Sequence, residues 1–162
     1  MKSIIVLSDS HGMLPKDDNF WTVLDEADYI FHLGDGINEI NTLKSIYKDK
    51  FYYVYGNCDT FNAEPFKIVE VEGVKFLLTH GNSFGVKHDL YNLAFECKYQ
   101  NVKYGLYGHT HIAKVDEIDG VTLINPGSIC YERSYCYIAI QNKNLVYKIV
   151  QQWGQIYAKR RC

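Results

Sequence analysis

Three short hydrophobic runs, separated by stretches of helical character, constrain the fold of this chain more than any other feature. The runs are Ser3–Leu7, Tyr29–Leu33 and Phe51–Tyr55, and each is rich in β-branched or aromatic residues. Compact runs of this kind are typical of strands that are covered on both faces of a sheet. The intervening stretches Asp17–Glu26 and Ile37–Tyr47 have helical spacing. The opening of the chain therefore predicts a βαβαβ unit with parallel strands.

The second half of the chain predicts mostly strands. Two runs around the turn Glu72-Gly73 indicate a hairpin, Phe66–Val71 and Val74–Thr79, and Lys87–Tyr99 has the spacing of a helix. Further strands are predicted at Tyr104–Tyr107, Ala113–Ile118, Val121–Asn125, Tyr135–Ile140 and Leu145–Ile149. We therefore expect an α/β fold in which two β-sheets pack face to face with helices outside, a four-layer αββα sandwich.

Length and composition fit a single domain that spans residues 1–162. With 162 residues, 47% of them hydrophobic, the chain can bury one sizeable core and is short for two. The net charge is −2, so no global field steers the protein toward nucleic acid or an acidic membrane. The Lys159-Arg160-Arg161 run is interpreted as a solvated tail. We expect neither a stable nucleic-acid complex nor membrane association.

The first residues and the cysteines together predict a cytoplasmic location. The apolar stretch up to Leu7 is too short for the core of a signal peptide, and no cleavage pattern follows it. The five cysteines are odd in number and scattered, which argues against a disulfide framework and against a Cys-based structural zinc site. The 14 tyrosines and 8 phenylalanines predict some exposed aromatic surface, through which a homo-oligomer could form.

Residues of metal-binding type follow five of the predicted strands. The loops are Asp9-Ser10-His11-Gly12, Gly34-Asp35-Gly36, Gly56-Asn57-Cys58-Asp59, Thr79-His80-Gly81-Asn82 and Gly108-His109-Thr110-His111. Open α/β sheets gather their ligands at such strand ends, and imidazole, carboxylate and amide donors suit divalent metals. The sequence predicts a metal site built from Asp9, His11, Asp35, Asn57, His80, His109 and His111.

Each of these features, taken alone, also has an ordinary structural explanation. Asp9 or Asp35 by itself would fit a turn or a helix cap. His32 lies inside a hydrophobic run and is predicted to pack in the sheet, whereas His88 is predicted to be exposed at the start of a helix. Seven donors in five separate loops, most of them flanked by glycine, favour the metal site over these explanations.

The motifs Asp-x-His, Gly-Asp, Gly-Asn, a lone His and Gly-His-x-His, in that order, resemble the calcineurin-like metallophosphoesterase superfamily. They extend from Asp9 to His111. The compact size, the cysteine at position 58 and the later Asn125-Pro126-Gly127-Ser128 are similar to the small YfcE-type phosphodiesterase branch. The resemblance implies two β-sheets between helices and a metal-dependent hydrolase that cleaves phosphoesters, phosphodiesters above all.

The resemblance also implies two ion sites that share Asp35. One ion would be held by Asp9, His11, Asp35 and His111, and the other by Asp35, Asn57, His80 and His109. Of these ligands, Asp35, Asn57 and His109 are the predicted catalytic residues. The implied cofactors are two divalent ions, manganese first, with zinc, iron, nickel or cobalt also compatible with such donors.

A hydroxide bridging the two ions is expected to attack phosphorus in line with the leaving oxygen. The predicted substrate-binding residues are Asn125, Gly127, Ser128 and Arg133, because backbone N–H groups and a guanidinium can bind phosphoryl oxygens. Many superfamily members carry a histidine directly after the metal-binding asparagine to assist the departing group. Cys58 occupies that position here.

Three alternatives stay open at the level of sequence. A phosphomonoesterase would use the same site on a different substrate. A mononuclear zinc hydrolase would need only Asp9, His11 and one later histidine, which leaves Asn57 and His80 without a role. A retromer subunit shares the expected fold but binds proteins and has a degraded metal site, whereas all seven ligand positions are filled here.

Overall fold

The computed structural model describes residues 1–151, which form ten strands and three α-helices. The strands are β1 (Lys2–Leu7), β2 (Tyr29–His32), β3 (Phe51–Tyr53), β4 (Lys67–Val71), β5 (Val74–Leu78), β6 (Tyr104–Leu106), β7 (Lys114–Ile118), β8 (Val121–Asn125), β9 (Ser134–Gln141) and β10 (Asn144–Gln151). The helices are α1 (Asp18–Glu26), α2 (Ile37–Tyr47) and α3 (Tyr91–Tyr99), with short 3-10 turns at Lys48–Lys50 and Asn82–Phe84. The predicted basic tail lies outside the described residues.

The strands form two mixed sheets of five strands each. The first sheet has the order β10-β9-β1-β2-β3, and the second has the order β4-β5-β6-β8-β7. Strands β1, β2 and β3 are parallel, and β9 joins the first sheet antiparallel to β1. In the second sheet β5, β6 and β8 are parallel, with β4 and β7 as antiparallel edges. The predicted α/β fold of two packed sheets flanked by helices is confirmed.

Three hydrophobic clusters hold these layers together. Alternate residues of β1 belong to different clusters. Ile4 and Val6 belong to the cluster between the sheets, whereas Ile5 and Leu7 pack with α1 and α2. A third cluster packs α3 on the second sheet through Leu93 and neighbouring residues. Both faces of β1 are therefore buried, which explains why its sequence is a continuous apolar run rather than an alternating one.

Helix α1 is fixed at both ends by side chains. Asp17 caps its start by accepting a hydrogen bond from the Phe20 amide at 3.0 Å. At the other end, the ammonium of Lys50 donates to the carbonyls of Leu24, Asp25 and Ala27 at 2.8–2.9 Å. These carbonyls have no partner within the helix, so the lysine satisfies the acceptors that the last turn leaves open.

Helix α3 begins four residues later than the predicted stretch Lys87–Tyr99. The amides of His88 and Asp89 both donate to the carbonyl of Gly85, which closes a turn before the helix. The Asp89 side chain then accepts a hydrogen bond from the Tyr91 amide at 3.1 Å, where α3 starts. Within residues 1–151, no helix is long and apolar enough to cross a membrane.

Candidate metal centre

The predicted ligands lie on loops that directly follow five strands. Asp9 follows β1, Asp35 follows β2, and Asn57 follows β3, at the carboxyl edge of the first sheet. His80 follows β5, and the His109 loop follows β6, in the second sheet. Backbone hydrogen bonds join these loops, because the Asp9 amide donates to Gly34 and the Gly108 amide donates to His80. The carboxyl ends of strands from both sheets therefore converge on one site.

Asp9 is fully buried and presents one oxygen to two histidines. Its Oδ2 accepts hydrogen bonds from the Ser8 hydroxyl at 2.6 Å and the His109 amide at 3.0 Å. Its Oδ1 has no hydrogen-bond donor and lies 3.2 Å from His111 Nε2 and 3.4 Å from His11 Nε2. Ligand atoms of Asp9, His11 and His111 all lie within 4.8 Å of one another. A buried carboxylate oxygen directed at two imidazole nitrogens is the arrangement that a bound cation would complete.

Asp35 belongs to a second group of donors, with His80 and His109. Asp35 Oδ2 lies 3.1 Å from His80 Nε2, and the same His80 nitrogen lies 3.2 Å from His109 Nδ1. The ligand atoms of these three residues also lie within 4.8 Å of one another. Asp35 Oδ2 is only 3.9 Å from His11 Nε2 of the first group. Asp35 is therefore the carboxylate that lies between the two groups.

Imidazole nitrogens face each other in both groups. His11 Nε2 lies 3.0 Å from His111 Nε2, a separation similar to that in the His80–His109 pair. The tautomer of His80 follows from its other nitrogen, because Nδ1 donates to the Leu33 carbonyl at 2.8 Å and leaves the Nε2 lone pair for a ligand. Opposed imidazole nitrogens beside two carboxylates fit divalent metal ions, and the donor set matches those that bind transition metals.

Asn57 and Cys58 complete the neighbourhood of the two groups. Asn57 is exposed and lines a cavity of about 250 Å³ together with His80. The sulfur of Cys58 lies within 4.8 Å of ligand atoms of His11 and Asp35. The structure thus brings six of the seven predicted ligands into the two groups and places the seventh, Asn57, on the rim beside His80.

The electrostatics of the centre favour ionised carboxylates and a neutral His109. Burial raises the pKa of Asp9, but the neighbouring His11 and His111 rings outweigh burial and leave this pKa well below its usual range. The pKa of Asp35 is also lowered, because the hydrogen bond and charge of His80 in its protonated form outweigh burial. Burial, followed by the charge of His80, lowers the pKa of His109 to about 4. An uncharged imidazole at His109 is the form that can bind a metal ion.

Five of the seven predicted ligands adopt left-handed backbone conformations. Their φ angles are +54° at Asp9, +44° at His11, +62° at Asp35, +71° at His109 and +64° at His111. Such conformations are uncommon for residues with a Cβ atom and cost about 1–3 kcal/mol each. Strain of this kind gathers at functional sites, where the surrounding structure holds the side chains in place. The backbone therefore marks the centre independently of the chemistry of its side chains.

Two glycines allow the ligand loops to approach closely. A Cβ atom at Gly56 would collide with Asp35 Oδ1 and lie 2.7 Å from the Asp35 amide nitrogen. A Cβ atom at Gly108 would collide with the Ser8 hydroxyl and lie 2.6 Å from Asp9 Oδ2. Both contacts are closer than side chains tolerate, so these positions require glycine for steric reasons.

Asp59 supports the centre without being a ligand. Its Oδ2 accepts hydrogen bonds from the amides of Asp35 and Gly56 at 2.8 and 2.7 Å, and its Oδ1 accepts one from Gly36 at 2.9 Å. Three charge-assisted hydrogen bonds thus tie the β2 and β3 loops together. The sequence places Asp59 in a ligand loop, but this supporting role depends on tertiary contacts that the sequence does not display.

His32 and Glu39 support the first loop in the same manner. His32 is fully buried, accepts a hydrogen bond from the Gly34 amide at 3.1 Å, and lies 3.0 Å from the Ser10 hydroxyl. Burial lowers its pKa to about 4, which keeps the ring neutral at neutral pH. Glu39 of α2 accepts a hydrogen bond from the Gly12 amide at 2.7 Å. The predicted packing of His32 inside the sheet is confirmed.

The predicted substrate-binding residues lie in two places. Asn125 is fully buried, donates to the Gly108 carbonyl and the Thr110 hydroxyl, and accepts from the Gly127 amide. Ser128 is also buried, and its hydroxyl donates to the Asp9 carbonyl at 2.7 Å. These contacts support the ligand loops. The positions of Asn125, Gly127 and Ser128 therefore fit a supporting role better than phosphate binding. Their binding of substrate stays a prediction.

Arg133 forms an ion pair with the residue that caps the start of α1. Its guanidinium lies 3.2 Å from an oxygen of Asp17, and it lines a cavity of about 180 Å³ with Leu14 and Ile129. Its backbone is left-handed, with φ of +52°. His88 is exposed and lies in the turn before α3, as one wall of a cavity of about 460 Å³. Neither side chain belongs to the two donor groups.

Comparison with known proteins agrees with this architecture. Residues 1–143 match the model of the calcineurin-like phosphoesterase superfamily domain. A probable metallophosphoesterase of Mycoplasma pneumoniae is 33% identical over 135 residues, which covers 80% of this chain and 80% of that protein. The phosphodiesterase MJ0936 of Methanocaldococcus jannaschii is 28% identical over 154 residues, covering 77% of this chain and 82% of that protein.

Solved structures share the fold over almost the whole chain. A conserved protein of Streptococcus pneumoniae, described as a predicted phosphoesterase, superposes with a TM-score of 0.76 and 25% identity, covering 96% of this chain and 92% of that one. Zinc-bound Vps29 of Entamoeba histolytica superposes with a TM-score of 0.73 at 18% identity, covering 92% of this chain and 98% of that one. The second likeness concerns the fold alone.

Proposed function

Because the chain belongs to the calcineurin-like phosphoesterase superfamily, we propose that it is a phosphodiesterase that uses two divalent metal ions. One observation carries this proposal. Two groups of donors, each with a buried carboxylate and two histidines, meet at Asp35 at the carboxyl edges of both sheets. A single ion would leave one of these groups without a role.

The first ion would be held by Asp9, His11, Asp35 and His111, and the second by Asp35, Asn57, His80 and His109. When bound, the two ions would lower the pKa of a water so that hydroxide is available for in-line attack, and would stabilise charge on the phosphoryl oxygens. Manganese is our first choice, and zinc, iron, nickel and cobalt are compatible with the same donors.

The chain's own residues prepare the site for this chemistry. The Cys58 amide donates to Asp35 Oδ1 at 2.9 Å, while Asp35 Oδ2 lies toward His80 and His11. The Asp35 carboxylate is thus oriented by contacts within the protein. Asn57 would offer its amide oxygen from the rim, and His109 its neutral ring from the opposite sheet. Such preorganisation of charge and ligands is what lowers the barrier for phosphoryl transfer.

Space beside the centre supports a diester as the substrate. A cavity of about 250 Å³ reaches Asn57 and His80, and another of about 460 Å³ reaches Thr110, which separates His109 from His111 in the sequence. A phosphodiester carries two substituents that need room, whereas a monoester carries one. The similarity to a relative named as a phosphodiesterase supports the same choice. A phosphomonoesterase acting through the same residues is the alternative.

Likeness to Vps29 raises a second candidate, a protein-binding scaffold without catalysis. The filled donor set argues against it, because five ligand positions retain strained backbones that a scaffold would not need. The predicted homo-oligomer has a candidate surface on α3, where Tyr91, Phe95 and Tyr99 are 69%, 69% and 76% exposed. Self-association and a cytoplasmic location both stay predictions.

The proposal is tested by hydrolysis assays on metal-stripped protein. Manganese is added back, and cleavage of bis(4-nitrophenyl) phosphate is compared with that of 4-nitrophenyl phosphate. We expect manganese-dependent cleavage that favours the diester and is lost in Asp35→Asn. Faster cleavage of the monoester would favour the phosphatase alternative. Absence of hydrolysis with manganese, zinc, iron, nickel and cobalt alike would favour the scaffold.

A further inference from the structure

The cavity beside His80 is distinguished by the charge of the residues that line it. We call it the Glu64 cavity; its volume is about 250 Å³, and candidate ligands Asn57 and His80 form part of its wall. Whatever enters this cavity therefore lies directly against the side of the centre that is proposed to hold the second ion. A substituent of a bound phosphoester is the group that this position would receive.

Glu64 is the one acidic residue in the wall, and no lysine or arginine of the described residues lines the cavity. Glu64 is exposed, and no ion pair within residues 1–151 includes it. Its negative charge is therefore available to act on a ligand. A like charge placed a few ångströms away is disfavoured, and an opposite charge is favoured.

Two aromatic side chains form another part of the wall. Tyr55 is partly buried and packs on Tyr53 with ring centroids 5.3 Å apart, whereas Phe61 is fully exposed. Aromatic faces bind apolar groups, and they also attract cations. A cavity of about 250 Å³ exceeds the roughly 150 Å³ that accommodates a benzene ring in a protein core. One ring, or one quaternary ammonium group, therefore fits.

The cavity near Thr110 differs in charge, since two lysines, Lys87 and Lys114, and one acidic residue, Asp89, line it. Lys114 lies 3.5 Å from an oxygen of Asp116, whereas Lys87 forms no ion pair within the described residues. An anionic substituent would be attracted to this side. The two cavities therefore differ in the charge that each would accept.

On the basis of the proposed function, we propose that the Glu64 cavity binds one substituent of the phosphodiester. The cavity selects uncharged or cationic groups over anionic ones. Glu64 is the specificity-determining residue, and Phe61 supplies a surface for the apolar or cationic group. The substrate class is thus a diester with at least one substituent that is aromatic or cationic and carries no negative charge.

Three diesters with the same leaving group test this inference. They are 4-nitrophenyl phosphorylcholine, 4-nitrophenyl phenyl phosphate and 4-nitrophenyl 4-carboxyphenyl phosphate, whose second substituents are cationic, uncharged and anionic. We expect kcat/KM of the wild type to fall in that order. In Glu64→Gln, the ratio of kcat/KM for the first substrate to kcat/KM for the third should fall about tenfold. Glu64→Lys should lower this ratio further. High salt should weaken the wild-type preference.

Glu117→Lys is the matched control, because it makes the same charge change at an exposed position of β7 outside the cavity. It should keep the wild-type ratio. Phe61→Ala should lower kcat/KM for the phenyl and choline substrates about fivefold. Hydrolysis with an unchanged ratio in Glu64→Lys would overturn this inference and leave the phosphodiesterase intact. Hydrolysis of none of the three diesters would overturn the proposed function and the inference together.

Discussion

Gly108 offers a steric test of how tightly the metal centre is built. In Gly108→Ala, the new Cβ atom would collide with the Ser8 hydroxyl and lie 2.6 Å from Asp9 Oδ2. Ser8 and Asp9 are both fully buried, so neither can move into solvent. The substitution must therefore displace the carboxylate or the loop that carries His109.

The expected cost combines two terms. Overpacking of a buried site costs about 1–3 kcal/mol, and weakening the Ser8–Asp9 hydrogen bond adds about 1 kcal/mol. For a domain of this size, each kcal/mol lowers Tm by about 2–4 °C, so we expect a decrease of about 4–16 °C in chelator. Because Asp9 Oδ1 faces His11 and His111, metal affinity should fall by about tenfold to a hundredfold.

Calorimetry in chelator and competition with a metal indicator dye measure the two effects separately. Gly120→Ala is the control, because nothing lies within 4 Å of its added Cβ atom, while its φ of +80° imposes a strain of about 1–2 kcal/mol. It should lower Tm without changing metal affinity. If Gly108→Ala also kept wild-type metal affinity, the reasoning that this glycine positions Asp9 would be refuted.

Three further predictions concern residues that support the centre. Asp59→Asn removes the charge that binds three loop amides. We therefore expect the free energy of unfolding in urea to fall by about 2–3 kcal/mol and metal binding to weaken about tenfold. An unchanged unfolding midpoint would contradict this role. The ring of Tyr131 packs against those of His11 and His111, with centroids 5.4 and 5.2 Å apart. Tyr131→Leu should therefore weaken metal binding about tenfold, whereas Tyr131→Phe should keep the wild-type affinity. Equal affinities in both variants would show that the ring does not orient the histidines. Burial lowers the pKa of His32 from 6.5 to about 4. As pH falls, the unfolded chain therefore binds this proton at a higher pH than the folded chain does. The free energy of unfolding should fall by about 3 kcal/mol between pH 6.5 and pH 4. His32→Asn should show a smaller decrease over this range in unfolding measured against pH, and parallel profiles would be inconsistent with a buried neutral ring.

The layers of the fold could be predicted because each depends on local periodicity. Runs such as Ser3–Leu7 indicate strands buried on both faces, and β1 is buried in that manner. The pairing of β9 with β1 could not be predicted, because it brings together residues that are more than a hundred positions apart. Sheet membership depends on such long-range contacts, which periodicity does not encode.

The ligands of the site were predictable from residue type and position, and their supports were not. Asp9 and Asp35 follow parallel strands of one sheet, so their convergence follows from that pairing. His80 follows a strand of the other sheet, so its approach to them depends on how the two sheets pack. The role of Asp59 depends on where the Asp35 loop lies in space. The prediction for Asn125 depended on resemblance, whereas its placement depends on hydrogen bonds to Gly108 and Thr110.

The number of metal ions bound by each chain tests the central claim most directly. Metal-stripped protein is incubated with excess manganese, freed of unbound metal, and measured by elemental mass spectrometry against protein concentration, with Asp35→Asn in parallel. We predict two ions per wild-type chain and at most one in Asp35→Asn, because Asp35 lies between both groups of ligands. A wild-type chain that hydrolyses diesters with one ion or none would contradict the account.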